Sequence, residues 1–140
     1  METTQSLPDR SAYPSLPTDA ISYAEFLRRN TATGTLKVQA SRAQGALPTE
    51  GVRISVIGRF SDARVLFFDG VTDADGLITG IILPAPPIAA SLNPDTARRG
   101  AVYQVFANHP DFEPNVYELE MFEGINAILP VTLQLPREVM

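Results

Sequence analysis

The chain has 140 residues, a net charge of −5 from 16 acidic and 11 basic side chains, and no cysteine. That length forms one domain with a core of its own, and the missing cysteines exclude disulfides, thiolate chemistry and Cys-based metal sites. The acidic balance works against a phosphate backbone as partner, so no nucleic acid is expected.

Met1 to Pro17 is polar and interrupted by Pro8, Pro14 and Pro17. It reads as an extended N-terminal arm over residues 1–17, because proline breaks helices and central strands. Leu7, Tyr13 and Leu16 are its large apolar anchors. The start lacks the basic and apolar regions of a signal peptide, so the chain is expected in the cytoplasm or to leave by a non-classical route. No segment has the apolar length of a membrane span. Residues 18–33 read as a short helix and linker. Ser22 and Glu25 have capping-box spacing, and Ile21 with Phe26 makes a staple. Tyr23, Phe26, Leu27 and Asn30 share one face, and the helix is expected to stop near Gly34. The pairs Arg28-Arg29 and Arg98-Arg99 are too short for a basic stripe and read as solvated tips.

From Gly34 the period becomes two. Seven strand-like runs follow, namely "GTLKVQA", "VRISVIG", "RVLFFDGV", "LITGIIL", "AVYQVFA", "VYELEMF" and "NAILPVTLQL". Turn residues separate them and no helix intervenes. This predicts a mainly β fold, an antiparallel β-sandwich of about seven strands over residues 34–136. Leu36, Val38, Ile54, Val56, Phe67, Tyr103, Val105, Leu119, Met121, Leu129 and Val131 are expected between the two sheets.

The densest chemistry-like stretch is "TDADGLITGIILPAPP", Thr72 to Pro87. A calcium loop with Gly76 at its sixth position would place Asp73 and Asp75 well, but Val71 and Ile82 would fall at ligand positions one and twelve. Asp73, Asp75 and Gly76 therefore read as a turn. His109 is the single histidine and reads as an exposed turn residue in "NHPDF". Glu118 and Glu120 share one strand face and read as solvated, with Val116 expected on the other face. No nucleophile elbow, phosphate loop or metal triad accompanies them. No catalytic, metal or cofactor-binding residue is assigned, and no cofactor is expected.

The order "GTLKVQA", "GVRISV", "TDADG", "LPAPP", "YQVFANHPDFEP" and "FEGINAILPVTL" resembles the carboxypeptidase-regulatory-like family of transthyretin-like (prealbumin-like) β-sandwiches. The lead-in "YAEFLRRN" and the "LPAPP" stretch resemble a version found beside spore-cortex-lytic proteins. The resemblance implies an accessory sandwich that binds, spaces or assembles. One branch hydrolyses 5-hydroxyisourate with several histidines, an arginine and a C-terminal Tyr-Arg-Gly-Ser; this chain has one histidine and ends in "QLPREVM". No enzyme activity is therefore expected.

Two functions remain. The first is a structural protein that assembles into a homo-oligomer or filament. In that reading the arm docks through Leu7, Tyr13 and Leu16 on a neighbouring copy, near Ile128 and Pro130, because proline marks an edge strand. The alternative is an accessory module binding glycan, peptidoglycan or peptide among cell-wall or spore components.

Overall fold

The computed structural model describes residues 20–88 and 100–136. Met1–Pro17, with Leu7, Tyr13 and Leu16, lies outside the described residues. The first element is α1 (Tyr23–Arg29), capped by Ser22, whose hydroxyl accepts from the Glu25 N–H at 3.1 Å. The expected box is made on one side only, because the Glu25 carboxylate is held by Arg28 and Arg29 further along the helix. Asn30 ends it, its backbone and side-chain N–H groups both donating to the Phe26 carbonyl. The helix thus stops well before Gly34, which lies inside the first strand.

Seven residues are too few for an isolated helix in water, so packing must hold it. Phe26 is buried, with its ring centroid 4.7 Å from Phe60 and 6.0 Å from both Phe67 and Tyr103. Tyr23 joins this aromatic group through Phe60 at 5.1 Å. Leu27 does not, contrary to the expected face. It is exposed, because the aromatic residues already fill the contact with the sandwich.

Eight strands follow: β1 (Ala32–Arg42), β2 (Leu47–Pro48), β3 (Arg53–Arg59), β4 (Arg64–Val71), β5 (Leu77–Ala85), β6 (Ala101–His109), β7 (Phe112–Met121) and β8 (Asn126–Thr132). They form a two-sheet sandwich, as the period-two pattern requires. In one sheet β1 is central, flanked by β5 and the short β2 on one side and β8 on the other; the second sheet has the order β4-β3-β6-β7. One pairing departs from the antiparallel expectation. β8 runs parallel to β1, from Thr35 opposite Asn126 to Ser41 opposite Thr132. It arrives from the second sheet through the Glu123-Gly124 turn, so no hairpin forces it to run against β1.

Inward side chains make one core. Leu36, Val38, Ile54, Val56, Tyr103, Val105, Met121 and Val131 are buried, and Phe67, Leu119 and Leu129 pack against them half-buried. Tyr103 also ties the sheets together. Its hydroxyl donates to the Pro84 carbonyl at 2.6 Å, joining β6 to β5. Burial, with Tyr23 nearby, pushes the phenol well above its ordinary value, so it stays a donor. Among the described residues no helix is long and apolar enough to cross a membrane.

Candidate functional site

The structure places Asp73, Asp75 and Gly76 in the turn between β4 and β5. Asp73 Oδ1 accepts from the N–H groups of Asp75 at 2.9 Å and Leu77 at 3.0 Å. The carboxylate thus closes its own loop, the usual use of Asp in a turn. Among the described residues no group of three or more His, Asp or Glu could hold a metal ion. Added calcium or a chelator is expected to leave the melting temperature unchanged, because a tightly held ion would stabilise the fold by mass action. A scanning-calorimetry shift of several degrees would refute the turn-only role.

Ile128 and Pro130 lie on β8, both exposed. Thr35 N–H donates to Ile125 O and Leu133 N–H to Ser41 O. The parallel ladder therefore uses the odd-numbered residues of β8, and the backbone of residues 126, 128, 130 and 132 faces away from β1. Pro130 removes a donor from that outward row, and Asn115 Nδ2 donates to the Thr132 carbonyl at 3.1 Å. An extended segment adding here would find an incomplete ladder.

Two further placements differ from expectation. Val116 shares the solvent face with Glu118 and Glu120, because Tyr117, Leu119 and Met121 occupy the core face. His109 is half-buried at the end of β6, its ring packed edge-on to Phe112 at 5.1 Å.

His109 leads to the site that the sequence pattern did not show. The β6–β7 turn lies at the same end of the sandwich as the β1–β2 turn. In the latter, Ala43 (φ 54°), Gln44 (φ 57°) and Gly45 (φ 93°) are successively left-handed. For the two non-glycine residues this costs about 1–2 kcal/mol each. Between the turns lie two adjoining pockets of about 580 and 540 Å³, with Arg42 and Phe112 in the wall of both. Ala43, Leu133 and Leu135 make the first lobe mainly apolar, whereas Thr49, Glu50, His109 and Asp111 make the second polar.

Arg42 donates to Thr49 Oγ1 at 3.0 Å and makes no ion pair among the described residues. His109 Nδ1 accepts from the Asp111 N–H at 3.1 Å. With Nδ1 occupied as an acceptor, Nε2 is the N–H donor of the ring. The cleft therefore presents a cation and an N–H donor, two carboxylates, and an adjoining apolar shelf. No local motif could have revealed it, because Arg42 and His109 meet only through the sandwich topology.

No family model and no curated protein matches the chain. Solved structures do. The 5-hydroxyisourate hydrolase of Klebsiella pneumoniae is 19% identical, with a TM-score of 0.50 over 74% of this chain and 92% of the hydrolase. The dioxygenase domain of a dioxygenase–carbohydrate-binding protein fusion from Streptomyces sp. SirexAA-E is 17% identical, with a TM-score of 0.52 over 92% of this chain and 98% of that domain. The catechol 1,2-dioxygenase of Acinetobacter radioresistens is 10% identical, with a TM-score of 0.54 over 84% of this chain. The chain spans only 56% of that dioxygenase's length. The likeness is one of fold, a transthyretin-like sandwich. It also overturns the expectation of no enzyme activity. That expectation took the sandwich as accessory, and the structures sharing it include a hydrolase and dioxygenases.

Proposed function

We propose that the chain is a peptide-binding module of the carboxypeptidase-regulatory-like kind, with its site in the two-lobed cleft. One observation carries the reading: Arg42 stands between the polar and apolar lobes without a carboxylate partner among the described residues. A peptide's carboxylate fits Arg42, its amide or amine groups fit Glu50 and Asp111, and an apolar side chain fits the shelf at Leu133 and Leu135. A glycan is a poorer fit. Sugar platforms present aromatic faces, and the exposed large hydrophobic residues described here are all aliphatic.

Calorimetric titration with short peptides ending in an apolar residue and a free carboxylate tests this. Arg42→Gln should weaken binding at least about tenfold, the cost of losing one charge-assisted hydrogen bond. Equal affinity of the two proteins, or no binding by the native chain, would end the proposal.

Self-association is a second reading, favoured by the outward face of the β5-β1-β8 sheet. Ile82 and Ile128 are exposed there, one on each side of β1, opposite Thr35 and Lys37 in neighbouring rungs. Light scattering of the native chain and of Ile128→Glu compares the assembled and separated states. A monomeric native chain would remove this reading.

A further inference from the structure

The two outward faces of the sandwich carry opposite charges, each set among exposed aliphatic side chains. On the β5-β1-β8 sheet, Leu36, Val38 and Ala40 are buried, so Lys37 points outward from the central strand. It is the single lysine of the chain. Ile128 lies beside it on β8, and Ile82 stands one rung away on β5, opposite Thr35. The two isoleucines are 58% and 65% exposed. On the other sheet, Tyr103, Tyr117, Leu119 and Met121 point inward, so Val102 of β6 and Val116, Glu118 and Glu120 of β7 point outward. Val102 and Val116 are exposed. Glu118 follows Val116 on that face, and Val102 stands opposite Glu120, the next outward residue. Lys37 and Glu118 make no ion pair among the described residues. Glu120, by contrast, accepts from the Gly100 N–H at 2.8 Å.

We infer that the β5-β1-β8 face of one copy stacks on the β6-β7 face of the next, with Lys37 against Glu118 and the isoleucines against the valines. This rests on the self-association reading above, which gives one face, and adds the surface that meets it. Charge decides between the possible stacks. A two-fold contact brings a face onto its own counterpart. It would set Lys37 against Lys37 on one sheet, or Glu118 and Glu120 against their own copies on the other. Like charges so opposed are destabilising. The mixed stack instead gives each charge an opposite one.

Spacing agrees with charge. With strands about 4.8 Å apart and a rise of about 3.4 Å per residue, Ile82 and Ile128 are about 12 Å apart and Val102 and Val116 about 14 Å apart. Each aliphatic pair therefore flanks its charge over a similar span. Aliphatic groups closing around the ion pair exclude water from it, which strengthens an attraction that is weak between fully exposed partners. The two faces look in opposite directions across the sandwich, so the contact is head to tail. Such a contact repeats without closing, and each copy adds about 20 Å, the depth of two sheet layers.

Charge reversal tests the pairing, with the mean mass of the full chain followed against concentration by sedimentation. Lys37→Glu alone and Glu118→Lys alone should each raise the concentration needed for half-assembly at least about tenfold. Net charge by itself would favour assembly of Glu118→Lys, because that change brings the acidic chain nearer to neutrality. An equimolar mixture of the two variants should assemble as the native chain does, since the altered faces complement each other and so do the unaltered ones. Recovery in the mixture also verifies that both variants are folded. A mixture no better than either variant, with both melting at the native temperature, would overturn the inference. Loss with Lys37→Glu but native assembly of Glu118→Lys would overturn it too, while leaving self-association through the β5-β1-β8 face standing. A native chain that stays monomeric at every concentration would remove both.

Discussion

Gly76→Ala lowers stability by more than about 3 kcal/mol, read as a lower urea midpoint at unchanged slope. The residue has φ +75°, where a side chain costs about 1–2 kcal/mol by itself. The larger share is steric. A Cβ there would lie 2.3 Å from the Ala40 carbonyl oxygen and 3.0 Å from Thr49 N, both backbone atoms. They cannot step aside, because Ala40 N–H donates to Gly76 O at 2.7 Å and Thr49 N–H to Ala40 O at 3.0 Å. Gly124→Ala is the control, with φ +72° and open space around its Cβ position. It should cost about 1 kcal/mol. Equal losses at the two sites would show that backbone conformation alone sets the cost.

Leu36→Ala should cost about 4 kcal/mol and Leu129→Ala about 2 kcal/mol, from lost transfer energy and residual cavity. The chemistry is the same and the burial differs. Leu36 is fully buried on the central strand, between Ile81 and Ala127 on the flanking strands. Leu129 is half-buried on β8, where solvent fills part of the vacated space. Chemical denaturation of both variants measures the difference. An equal loss would mean that β8 is buried to the same depth as β1.

Local chemistry was readable from the residues alone. Ser22 caps a helix because its hydroxyl meets an amide three residues on, and Asp73 closes a turn through amides two and four residues on. The alternation of Leu36, Val38 and Ala40 needs only a strand and one solvent. What failed depended on distant partners. Leu27 had the right helical spacing, but Phe26 and Tyr23 already filled the contact. Val116 was assigned by its apolar character, although Tyr117 and Leu119 claim the inner face. The β8 direction depends on which sheet the chain leaves. The cleft depends on two turns meeting at one end, and neither carries a motif that points to the other.

The parallel pairing of β1 with β8 also sets an order of events during synthesis. Thr35 and Asn126, which bond across it, are 91 residues apart. At roughly 5–20 residues per second, β1 leaves the ribosome on the order of 5–20 s before its partner. Through that interval the central strand of one sheet has an unsealed edge along Thr35 to Ser41. Contacts of such sequence separation form slowly in refolding as well. The nascent chain therefore keeps this edge open until β8 emerges, and refolding from denaturant should lose yield as protein concentration rises.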